Sequence, residues 1–139
     1  MPPLTRWFIK AAFVSLVGAL VLRAGTAALT FGGQHTISAG FAPVFFHLFV
    51  WGWVTQLIFG VAYWMFPKAS KERPHGHEGL WLATFWCFNV GLLLRLIGEP
   101  LHLLRPEILW AWITIAAALL QWFAGVAFVV NTWPRVKER

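Results

Sequence analysis

Apolar positions fall into four long runs, at about Trp7–Thr30, Phe41–Phe66, Leu80–Leu104 and Ile108–Asn131. Between them lie short stretches where polar residues, Gly and Pro collect. A helix rises ~1.5 Å per residue and the hydrocarbon core of a bilayer is ~30 Å thick, so each run is long enough to cross. Alternating ten-residue strands are absent. In lipid only helices and closed barrels satisfy the backbone, so all four runs read as helices. The pattern predicts an all-α protein, a single four-transmembrane-helix bundle over residues 1–139, with no room left for a soluble domain. Gly32-Gly33 breaks the chain after the first helix, and Pro43 sits in the first turn of the second, where its missing N–H costs little. Pro67 closes that helix and Pro74 marks the next loop. Pro100 is expected to bend or loosen the last turn of the third helix. Pro106 and Glu107 start the fourth, and Pro134 ends it.

Composition agrees, with a mean hydropathy of +0.67 and 59% hydrophobic residues. Charge then adds an orientation. Basic residues gather at Arg6 and Lys10, at Lys68, Lys71 and Arg73, and at Arg135, Lys137 and Arg139, which four crossings bring to one side. The positive-inside rule makes that side cytoplasmic, hence N-in and C-in in a cell's inner membrane. The formal charge of +6 is thus a topology signal and not one for nucleic acid. Arg6, Lys10 and the run Ala11–Leu22 imitate a cleavable signal peptide but read as a span. Trp7, Trp64, Trp81, Trp110 and Trp133 sit near span ends, as aromatic belts do. Trp51, Trp53, Trp86 and Trp122 lie deeper, placed to pack between helices or against a flat ligand. The lone cysteine, Cys87, reads as a small buried hydrophobe.

Polar residues inside a membrane are costly enough to be informative. Arg23, His47, Arg95, Glu99 and His102 all fall in the outer part of their spans. Arg95, Glu99 and His102 share one helical face at i, i+4 and i+7, and Arg23 matches their depth. His47 is followed by Trp51, Val54 and Ile58 on nearly one face, with Phe45, Phe46 and Phe49 beside it. An imidazole in such an aromatic wall suits a haem axial ligand, with cationic residues available for propionates. Gln56, Asn89 and Gln121 are the uncharged polar residues nearer the middle, where single amides bridge helices or line a water path. His75, His77 and Glu78 are too few for a strong metal site and read as a solvated loop. There is no phosphate loop, no HExxH and no Asp at all.

The run HLFVWGWVTQLIFGVAYWMFP, from His47 to Pro67, resembles the second helix of the catalytic subunit of haem-copper oxidases, in the branch of C-type oxidases and nitric oxide reductases. The early His47, the internal Gly60, Tyr63-Trp64 and the closing Pro67 carry the resemblance. It implies that His47 ligates a low-spin haem near the outer face. The family subunit has about twelve spans in three four-helix arcs, and this chain has four. It lacks the paired histidines of a copper centre and the later ligand-bearing helices, so gas reduction by one copy is not expected. The implied function is a membrane b-type haem protein for electron transfer or gas binding. His47 and His102, or a neighbouring copy's histidine, would be the iron ligands, with Arg23 and Arg95 on propionates, Glu99 positioning Arg95, and Trp51 in the wall. Expected partners are haem b, the bilayer, a redox partner at the outer face and further copies, as a trimer or a dimer. A non-catalytic accessory or assembly subunit and a small oligomeric channel or transporter are the competing expectations.

Overall fold

The computed structural model describes residues 1–136, and every regular element among them is helical. Lys137 and Arg139 of the expected basic side lie outside the described residues. The first span is α1 (Pro3–Phe31). The second is built from α2 (His35–Gly40), α3 (Ala42–Phe46), a π-helix (His47–Thr55) and α4 (Gln56–Met65). The third is α5 (Glu78–Leu104). The fourth is α6 (Ile108–Thr132) with a closing 3₁₀ turn, Trp133–Arg135. Four helices are long and apolar enough to cross a membrane, so the chain is a multi-pass membrane protein in its architecture.

Two differences from the pattern stand out. The second span starts at His35, six residues before the expected Phe41, because Pro43 lies at the start of α3 where no N–H is needed. The third helix starts at Glu78, two residues before the expected Leu80, and runs through Pro100 to the expected end at Leu104. Gly33 does break the chain as expected, at φ 81°.

The spans alternate in direction. Phe8 meets Trp81, Tyr63 meets Trp81, and Arg135 reaches Tyr63, so the start of α1, the loop 66–77 and the end of the fourth span share one end, the basic end. At the opposite end Ser38 donates to the Thr26 carbonyl and receives from Thr30.

Lipid offers no hydrophobic drive between helices, so contact area must come from small residues that let backbones approach. Seven-residue spacing supplies it. Thr5, Ala12, Ala19 and Thr26 are all buried along α1, as are Ala117, Ala124 and Asn131 along α6, and Thr84, Gly91 and Gly98 along α5. A repeat of seven keeps one seam facing its partner. A Cβ on Gly91 would stand 2.9 Å from the Ala117 carbonyl oxygen, and one on Gly52 would stand 2.7 Å from Ser15 Cβ. An aromatic core of Phe8, Phe59, Trp81 and Phe88 fills the basic half.

His77 and Glu78 are exposed, as expected of a solvated loop, and His75 between them and the bundle is only half-buried. His75 stacks on Tyr63 at 4.3 Å, and its carbonyl accepts from the Trp81 indole at 2.7 Å. Asn131 clasps the His77 backbone, accepting from its N–H and donating to its carbonyl, both at 2.9 Å. Fully buried Arg135 donates to the carbonyls of Tyr63, Phe66 and Pro67 at 3.1, 2.9 and 3.0 Å. The last carbonyls of a helix have no partner of their own, and this guanidinium serves three that close α4. A charge-assisted hydrogen bond contributes about 1.5–3 kcal/mol. Arg135→Gln is therefore expected to lower the unfolding midpoint in detergent by several degrees, with Arg135→Lys recovering only part because an ammonium lacks the planar fork. A midpoint unchanged in both variants counts against the clasp.

Candidate functional site

The site is assembled at the end opposite the clasp, where the second, third and fourth spans meet. Two features of the second span aim His47. Pro43 opens α3, and one turn later its carbonyl lies 2.7 Å from the His47 Nδ1. His47 is also the first residue of the π-helix, a rare form in which each carbonyl bonds five residues on and which recurs at functional sites. Thr55 reinforces that register by donating its hydroxyl to the Val50 carbonyl, five residues back.

The extra residue per turn alters the faces expected for an α-helix. Trp51 turns inward and packs on Phe88 at 6.1 Å, whereas Val54 and Ile58 are exposed. Trp51 thus stands apart from the polar group around His47. Trp86 and Trp122, expected between helices, face outward at 56% and 63% exposure.

On α5 the inward series Trp81, Phe88, Arg95 repeats every seven residues and carries Arg95 into the bundle. Its Nη1 donates to Glu99 Oε1 at 2.6 Å, one turn on, and its Nε donates to Gln121 Oε1 of α6 at 3.2 Å. Glu99 Oε2 then stands 3.6 Å from His47 Nδ1. Gln121, Arg95, Glu99 and His47 form one polar chain across three spans, each mostly buried. Its ends differ in chemistry. Gln121 Nε2 and Glu99 Oε2 are buried with no hydrogen bond, and His47 Nε2 has no hydrogen-bond partner among the described residues.

Arg95, Glu99 and His47 are brought together as expected, and Gln121 proves to be their fourth member. Glu99 pairs with Arg95, and its other oxygen also faces His47. His102, expected to join them, is exposed and makes no hydrogen bond or ion pair among the described residues. Arg23 is not in the network either. It is exposed, with its guanidinium 5.7 Å from the centroid of the Phe45 ring. Nearer the middle, Gln56 donates to Asn89 at 2.9 Å and Asn89 donates to the Phe85 carbonyl at 2.8 Å, so these amides bridge the second and third spans. No group of three or more His, Cys, Asp or Glu among the described residues could hold a metal ion, His75, His77 and Glu78 included.

This geometry has a definite chemical meaning. A histidine whose Nδ1–H is directed to a carbonyl or carboxylate is fixed as the tautomer with its lone pair on Nε2. No family model, curated protein or solved structure matches this chain.

Proposed function

We propose that the protein is a membrane b-type haem-binding protein, akin to one arc of the haem-copper oxidase catalytic subunit, in which His47 is an axial ligand through Nε2. The single observation that carries this reading is the orientation of His47: Nδ1 is occupied by the Pro43 carbonyl and backed by Glu99, leaving Nε2 as the free nitrogen. Haem iron would supply one-electron transfer or gas binding. The chain's own residues do the rest. Pro43 and Glu99 fix the tautomer, Arg95 holds Glu99 in place through their ion pair, and Gln121 anchors Arg95 to α6.

One chain presents one such imidazole in its network. The second ligand is His102 or a histidine of a neighbouring copy, which makes a homo-oligomer, trimer or dimer, part of the proposal. The basic end lies in the cytoplasm of a cell with this protein in its inner membrane, and any redox partner docks at the outer face. The test is a reduced-minus-oxidised spectrum of protein purified from haem-sufficient cells. A Soret and α-band change is expected, and its absence sinks the reading. A polar network linking three spans also suits a purely architectural accessory or assembly subunit, and a haem-free spectrum would leave that reading standing.

A further inference from the structure

Between α1 and α5, floored by the second span, runs an apolar groove of about 660 Å³, within the ~300–1,000 Å³ of small-molecule sites. Val14, Gly18 and Leu22 line one wall, Leu92 and Leu96 the other, and Leu48 the floor. Asn89 is its main polar element, and both ends of that amide are already engaged. Ser15 adds a single hydroxyl, and the rest of the lining is apolar, which suits a hydrocarbon chain.

Leu22 and Phe41 mark the groove's end away from the basic side, and there the next residue is Arg23. Its guanidinium lies over Phe45, which packs in the same cluster as Leu22, Phe41 and Leu96. It makes no ion pair or hydrogen bond among the described residues, and the carboxylate of Glu99 is engaged with Arg95 and His47. Arg23 is eight residues from the end of α1 at Phe31, or ~12 Å of rise, so its long side chain reaches the headgroup layer. An arginine at this level needs a counter-anion from outside the chain.

We propose that this groove holds an acyl chain of an anionic phospholipid whose phosphate is bound by Arg23. The site rests on Arg23 and the groove alone and is independent of haem. Native mass spectrometry in mild detergent, with phosphatidylglycerol and phosphatidylcholine in equal amounts, tests it. The wild-type chain is expected to retain the anionic lipid about fivefold over the zwitterionic one, as one cation near the surface contributes ~1 kcal/mol. Arg23→Gln should erase the preference and Arg23→Lys should keep most of it, both with unchanged unfolding midpoints because the side chain is exposed. Gly18→Phe, filling the groove where only Leu48 is near, should lower retention of both lipids. Equal retention of the two lipids by the wild type, or a preference unchanged in Arg23→Gln, overturns the proposal. Displacement by millimolar inorganic phosphate would show a simple anion site without a chain and also overturn it. A groove found covered by a second copy, with no lipid retained, does the same.

Discussion

His47→Ala is expected to yield protein that inserts and purifies normally but carries almost no haem. The imidazole is 18% exposed and its removal leaves Glu99 still paired with Arg95, so the bundle survives the change. What is lost is the one nitrogen that the network orients. Pigment per chain by pyridine haemochrome, beside the unfolding midpoint, separates loss of a ligand from loss of the fold. Replacing His75 and His77 together is the control. His75 stacks on Tyr63 in the clasp at the basic end, so that variant should lose some stability and keep its haem. Glu99→Gln should keep the ligand but weaken its support, lowering haem affinity by about 10–100-fold as loss of an outer-shell carboxylate does. Full occupancy in His47→Ala would mean that another residue binds the iron.

The second large effect belongs to the π-helix. Deleting Val50 removes the additional residue in its turn and allows five-residue hydrogen bonds to relax to four. Everything on the N-terminal side, His47 included, then rotates by about 100° and slides ~1.5 Å relative to α4. Glu99 loses the imidazole beside it, and the free nitrogen no longer points where it did. The Gln56–Asn89 bridge lies in α4 and α5 beyond the deletion and is expected to persist, so the span should still insert and dock. Haem occupancy is expected to fall more than tenfold. Deleting a residue from α2 instead, ahead of Pro43, should have far less effect on it. Occupancy unchanged by the Val50 deletion would show that the π-register does not aim His47.

The spans were legible because crossing a bilayer demands length and apolarity, and both are written residue by residue. The inward face of Arg95 was legible too: it continues the seven-residue series of Trp81 and Phe88, as Ala117, Ala124 and Asn131 do on α6. Contact between His47 and Glu99 was not, because it depends on how far the second span slides against the third. A helix apolar on every side leaves that register unmarked. The same uniformity hid the π-helix and the outward turn of Trp86 and Trp122. Arg135 misled for another reason. Among so many basic residues at that end it counted as one more positive-inside charge, yet its carbonyl partners lie in backbone that no side-chain pattern reveals.

The distance along the chain between Arg135 and those partners sets an order of events during biogenesis. The acceptors at Tyr63, Phe66 and Pro67 enter the membrane with the second span, and the donor arrives only after two further spans have emerged from the ribosome. Until then the Phe66 and Pro67 carbonyls lack this donor, Tyr63 has only His75 of the following loop, and water or headgroups must satisfy the rest. Delivery of the fourth span is therefore what completes the second. A chain stalled after its third crossing would show the quality-control machinery a frayed helix end, and one that finishes synthesis would hide it at a stroke.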